Sequence, residues 1–258
     1  MVRSIMVVAL LALAAPAHAA KAFDVPEQEF FTRVHVVAVA PCRFPAWISN
    51  SDTLAARSDS VRWHVDSLIV ARLTAAGLRV ISGHEVDAAY QQVVDSLGGL
   101  FDPATGVMDT VREAVANTRS RAIVHEQHHP DVWLFPIVFQ TTAMFESGWA
   151  HWDGAKQKIV PESVGRGMFK ALTFRTPDSG YQGHLTALSL FMAIEDGATP
   201  GQSLYSWSGG IHATARFRDK KFETISEREY FADRMQIEQS VELALKPFDK
   251  AAQKHGAH

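Results

Sequence analysis

The spacing of apolar residues along this chain changes character twice. Val34 to Ala40 (VHVVAVA) is short, β-branched and nearly all apolar, which predicts a strand buried on both faces. Pro41 and Pro45 end it. Val61, Val65, Leu68, Ile69, Leu73 and Ala76 then fall at i, i+4, i+7, i+8, i+12 and i+15, one stripe of a helix over residues 58–76, with Gly77 at the C-cap. Leu78 to Ile81 reads as a second strand. Ser82 and Glu85 have capping-box spacing and open a helix over 84–97, with Val86, Tyr90, Val93, Val94 and Leu97 inward and Gly98-Gly99 as its stop. After the turn sequence FDPATG, a helix over 109–128 is expected to turn Val111, Ala114, Val115 and Ala122 inward, until Pro130-Asp131 closes it. Val132 to Phe139 (VWLFPIVF) is a third buried strand, in which Pro136 predicts an edge or a bulge.

From Gln140 to Phe222 the helical period vanishes. Turn dipeptides recur at Asp153-Gly154, Ser179-Gly180, Pro200-Gly201 and Gly209-Gly210. Leu185 to Ile194 reads as a strand paired with Ser203 to Ala213 across the connection 195–202. Helical period returns at the end. Ser226 and Glu229 form a second capping box, and Tyr230, Ile237, Val241, Ala244, Leu245 and Phe248 give one apolar face to a helix over 227–246, which Pro247 should kink or end. Strands alternating with helices, then hairpins, then a helix argue an α/β fold: a single-domain mixed-sheet sandwich with helices packed on the sheet, C-terminal β-hairpins plus a terminal helix, and 34–40 as the central strand.

The N-terminus alters where such a domain would work. Arg3 precedes the uncharged apolar run Ile5 to Ala15, Pro16 breaks it, and Ala17-His18-Ala19 offers small residues at a cleavage site. The run is well short of the roughly 20 residues a spanning helix needs, so residues 1–19 are expected to be a cleaved signal peptide and 20–258 a single α/β domain in the periplasm or secreted medium. No later stretch reads as a transmembrane helix. Removing Arg3 moves the formal charge from 25 − 28 = −3 to 24 − 28 = −4, which offers no general pull toward nucleic acid. Cys42 is the only cysteine, so no internal disulfide forms. Its position after a strand predicts a small buried residue.

The order of elements resembles that of a group of bacterial envelope domains. Its landmarks are the leader, the strand VHVVAVAP, the helix ending LTAAGLRVI, the capped helix ending in Gly-Gly, the strand within HPDVWLFPIV, the hairpin of ALSLFMAIED with LYSWSGG, and the terminal amphipathic helix. The group comprises the curli-secretion lipoprotein CsgG, the penicillin-binding-protein activator LpoB and the N-terminal domain of TolB. The resemblance spans most of residues 34–250 and lies in element order. It implies a binding or assembly module with envelope proteins as partners, without a shared catalytic site to transfer. The lipid-bearing cysteine of such lipoproteins is missing here. The stretch Trp133 to Trp152 alternates too poorly for a membrane-crossing hairpin, so no pore is expected.

One stretch points elsewhere. His125-Glu126-Gln127-His128-His129 fits H-E-x-x-H, in which two histidines one helical turn apart bind zinc and the glutamate activates water. A secreted zinc-dependent hydrolase, a metalloprotease using His125, Glu126 and His129, is therefore the alternative function. Pro130 opposes it by pushing His129 out of helical geometry, and the nearest downstream carboxylate for a third ligand is Glu146. The favoured reading has the two histidines packing or capping at a helix C-terminus, with no metal, no cofactor and no assigned catalytic residue. Other motifs are thinner. G-x-S-x-G is absent, and Gly165-Arg166-Gly167 lacks the Lys-Ser/Thr of a phosphate loop. Phe145, Trp149 and Trp152 read as hairpin packing, and His151 and Asp153 as residues flanking the Gly154 turn.

Overall fold

The apolar run after Pro130 becomes the pivot of the sheet. The computed structural model describes residues 21–49, 51, 54–102, 104–160, 182–218 and 221–255. The expected signal peptide, the Gly165-Arg166-Gly167 stretch and the Ser179-Gly180 turn lie outside the described residues. The elements, in chain order, are α1 (Glu27–Arg33), β1 (Val36–Val39), α2 (Ala46–Ser49), α3 (Ala55–Ala75), β2 (Arg79–Ile81), α4 (Gly83–Ser96), α5 (Thr110–His128), β3 (Val132–Glu146), β4 (Trp149–Trp152), β5 (Ala155–Lys158), β6 (Gln182–Asp196), β7 (Ser203–Ala213), β8 (Ala215–Arg218), β9 (Lys221–Thr224) and α6 (Arg234–His255). The fold is α/β, with a mixed seven-stranded sheet, a separate β8–β9 hairpin and a C-terminal helix. No helix among the described residues is long and apolar enough to cross a membrane.

β3, not β1, is the central strand. Its first three residues pair parallel with β1, its last three pair antiparallel with β4, and all fifteen pair antiparallel with β6. β1 lies one strand from the edge, between β2 and β3. β3 wins the centre through length: only a strand of fifteen residues has room for two different partners on one side. Pro136 sits inside it without the expected edge or bulge. The carbonyls of Leu134 and Pro136 accept from the N–H groups of Ala40 (2.8 Å) and Arg43 (3.0 Å), so the Pro136 nitrogen faces the side where β1 has already ended at Val39. The ladder to β6 therefore loses no donor at Pro136.

Helices cover both faces. On one face α3, α6 and α1 bury Val37, Val39, Leu134, Leu190, Met192 and Tyr205. On the other, α4 and α5 bury Ala38, Ala40, Trp133 and Phe135. The stripe Val61, Val65, Ile69 and Leu73 points inward as expected, and the Ser82–Glu85 capping box forms. The start of α4 is also held by Asp66 of α3. This buried carboxylate accepts from the Gly83 N–H at 2.7 Å, and burial raises its pKa. The distal half of the sheet curls. The Asp153 carbonyl accepts from Gly210 N–H (3.1 Å), and Trp152 Nε1 donates to the Leu188 carbonyl (3.1 Å). The curl encloses a second apolar cluster of Ala143, Phe145, Trp152, Ala155, Ile159 and Ala213.

Three local expectations change. The Ser226–Glu229 capping box exists, but it caps a 3-10 turn at Glu227–Glu229. Phe231 then takes φ 58°, and the terminal helix begins only at Arg234 and runs through Pro247 to His255. A proline inside a helix costs about 3 kcal/mol, but Phe248, Ala251 and Ala252 beyond it are all buried, and tertiary packing offsets that cost. The Tyr205 hydroxyl donates to the Ala244 carbonyl at 2.6 Å just before the proline. Gly209-Gly210, expected as a turn, lies within β7. Added Cβ atoms there would meet Ser240 of α6 and Trp152, so close approach rather than a turn requires these glycines.

Candidate functional site

The end of α5 carries the HEQHH stretch, and the phase of this helix differs from expectation. Ala116, Ser120 and Val124 are its buried residues, whereas Val111 is 72% exposed and His125 and His129 face solvent. The buried stripe is made of small residues, which carry little hydrophobic signal. Val111 sits in the first turn, where its apolar character does not report burial.

The zinc geometry does not assemble on a helix. α5 stops at His128. His129 is the C-cap in left-handed conformation (φ 49°, ψ 58°), its N–H bonded to the His125 carbonyl at 2.9 Å. The two imidazoles meet edge to face, with centroids 5.8 Å apart. No group of three or more His, Cys, Asp or Glu side chains is placed to share a metal among the described residues. Glu146 ends β3, 14 residues beyond Val132 and so on the order of 40 Å along the strand from the end of α5.

The remaining sequence candidates are dispersed. Cys42 is buried, and desolvation pushes its thiol up to about 12, the state of an inert core cysteine. Phe145 and Trp152 fill the curl, while Trp149 lies on its outer face with Lys156 Nζ 4.5 Å from the ring centroid. His151 is exposed on β4, and the Asp153 carboxylate accepts from Ser189 Oγ at 2.5 Å, as a turn residue tying the hairpin down.

The structure brings together a cleft of about 200 Å³ lined by Arg121, His125, Trp133, Glu195, Asp196 and Pro200. One wall is α5. The other is the end of β6 and the connection to β7. The Arg121 guanidinium lies over the rings of Trp133 (5.5 Å) and Phe135 (4.9 Å). Asp196 holds the connection in shape. Its Oδ1 accepts from the N–H groups of Ala198 (2.8 Å) and Thr199 (2.9 Å), and its Oδ2 pairs with Arg33. Gly197 donates to the Asp131 carbonyl at 2.8 Å, and a Cβ there would lie 2.6 Å from the Pro130 carbonyl oxygen. No motif spacing marked Arg121 or Glu195. The Asp196-Gly197 dipeptide is the one local signal, since Asp-Gly favours a tight connection between strands.

No protein-family model matches the chain, and no curated protein matches it either. Among solved structures the chain is similar to the lipoprotein GNA1162 from Neisseria meningitidis, at 15% identity and a TM-score of 0.33, over 70% of this chain and 84% of that one. That neighbour is a bacterial lipoprotein, and its name is none of the three that the order of elements resembles.

His212 of β7 is also a buried titratable group. Its ring stacks on Tyr230 at 5.4 Å, Nδ1 lies 3.2 Å from the Ala213 carbonyl, and Nε2 has no hydrogen-bond partner among the described residues. Desolvation lowers its pKa below the ordinary 6.5, against a smaller opposing effect of the Ala213 bond. The unfolded chain therefore binds this proton more readily than the folded one. The group costs nothing above 6.5, and stability falls as pH drops from there toward the folded-state value. Urea melts should show wild type and His212→Phe differing by a constant amount at about pH 8 and above, with wild type losing ground steadily toward about pH 5. Parallel pH profiles would show that His212 is not the group responsible.

Proposed function

We propose that the protein is an exported bacterial envelope protein, cleaved after residue 19, whose single α/β domain serves as a non-catalytic binding or assembly module for protein partners. The leader and the resemblance to CsgG, LpoB and the TolB N-terminal domain support export and the envelope setting. One observation on the fold supports the binding role. The connection from α4 to α5 exposes Phe101 (58%), Val107 (65%) and Met108 (42%), and the first turn of α5 adds exposed Val111 (72%). The tip is ordered. Phe101 bridges Met108, the Asp102 N–H donates to the Val107 carbonyl at 2.9 Å, and the Asp102 carboxylate accepts from Ala104 and Thr105 N–H groups. Exposed apolar side chains near one another on a hydrogen-bonded turn and the helix that follows it favour a protein contact.

A photo-crosslinking residue at Met108 should trap a discrete partner in intact envelopes, and the same residue at exposed Gln91 of α4 should not. Phe101→Glu with Val111→Glu should weaken that capture by about 30-fold, since losing a contact of hot-spot strength costs about 2 kcal/mol, while stability changes by no more than about 0.5 kcal/mol. Equal capture by wild type and the double variant would overturn the role of the tip. N-terminal sequencing after fractionation tests export separately, and a cytoplasmic product retaining Met1 would overturn it.

A further inference from the structure

We infer that the cleft between α5 and the end of β6 binds a free α-amino acid as its zwitterion. This goes beyond the binding-module reading and is independent of it. Arg121 and His125 of the cleft follow Val111 of the apolar tip by 10 and 14 positions of α5, roughly 15–21 Å along the helix.

The two walls place opposite charges on one cavity, Arg121 on the α5 wall and Glu195 on the wall opposite, with His125 one turn beyond Arg121 as a hydrogen-bonding group. No salt bridge joins Glu195 to either of them among the described residues, and Arg121 is held by two aromatic rings rather than by a carboxylate. A guanidinium lying over ring faces keeps its N–H donors in its own plane, where they can fork onto a carboxylate. Among the described residues, the Glu195 carboxylate engages only the Gly201 N–H, at 3.3 Å, which leaves its other lone pairs for an ammonium group. Trp133 and Pro200 supply apolar surface for a side chain.

Size then selects the ligand. The space is about 200 Å³, below the roughly 300 Å³ at which drug-sized ligand sites begin. A molecule that presents a carboxylate to Arg121 and an ammonium to Glu195 within that volume must be small and carry both charges. A peptide terminus offers one charge or the other at its end residue. A free α-amino acid offers both.

The probe is L-leucine, titrated into the ¹⁵N-labelled mature protein, with N-acetyl-L-leucine and L-leucinamide as single-charge controls. Leucine should move the Trp133 indole and Arg121 side-chain signals in a saturable way, and each control should bind at least about tenfold more weakly. Glu195→Gln should abolish the preference for leucine over N-acetyl-leucine, and Arg121→Gln the preference over leucinamide. A general loss of affinity without these two separate losses of preference would refute the assignment. So would titrations in which no cleft signal moves, or in which either control binds as well as leucine.

Discussion

Gly209→Ala should lower stability by about 3 kcal/mol or more, the upper end of the range for overpacking. A Cβ at this position would lie 2.1 Å from the Ser240 carbonyl oxygen, 2.8 Å from the Ala244 nitrogen and 2.9 Å from the Leu243 Cβ. The first two are backbone atoms of α6, whose buried face (Ser240, Val241, Ala244, Leu245) holds the helix in place. No side-chain rotation relieves the contact. For a chain of this size the loss corresponds to a fall in Tm of roughly 6–12 °C. Gly98→Ala is the internal control. Its backbone is left-handed (φ +73°) but nothing lies within 4 Å of the added Cβ, so only the conformational cost of about 1 kcal/mol applies. At Gly210 the added Cβ would meet side chains, Ala155 Cβ and Trp152 Nε1, both at 2.5 Å. Ala155→Gly should therefore partly rescue Gly210→Ala and leave Gly209→Ala unimproved. Urea midpoints at unchanged m values give all of these differences. A Gly209→Ala variant no less stable than Gly98→Ala would mean that β7 and α6 do not approach as described.

Phe248→Ala should cost about 3–5 kcal/mol, as expected for removing a fully buried aromatic side chain. Its ring lies 5.3 Å from Phe31, 5.9 Å from Phe30, 6.0 Å from Tyr205 and 6.4 Å from Phe23, measured between centroids. Phe30 and Phe31 are the buried residues of α1, so this one ring joins the N-terminal segment to the terminal helix. The loss should be uneven. Hydrogen exchange at the Phe30 and Val34 amides, which bond at the first and last turns of α1, should speed up more than at the amides of α4, which packs on the opposite face of the sheet. Uniform acceleration would show that α1 does not depend on this cluster.

Local pattern determined much of this protein. The α/β class, the helices α3, α4 and α5, the β6–β7 hairpin and the Ser82–Glu85 cap all follow from periodicities and spacings within about 20 residues. These depend on alternation and on hydrogen bonds between near neighbours, and such interactions are written in consecutive residues. The sequence also disfavoured a zinc helix through Pro130, and the left-handed His129 is the form that constraint takes.

What depended on distant contacts was decided by the tertiary structure. The pattern cannot tell that β3 is central, because centrality comes from the two partners it has room for. Gly209-Gly210 has the composition of a turn, and only the approach of α6 and Trp152 explains glycine there. Pro247 should stop a helix, and burial of the residues beyond it keeps the helix going. The phase of α5 escapes the pattern because its buried stripe is Ala116, Ser120 and Val124, while exposed Val111 carries more apolar surface than two of those three. The cleft is the extreme case. Arg121 and His125 are separated from Glu195 by about 70 positions of sequence, and the chain between them must form β3, the curl and β6 before the two walls face each other. Charges that meet only through a folded sheet leave no spacing to read, which is why the histidines stood out in the sequence and their neighbours across the cleft did not.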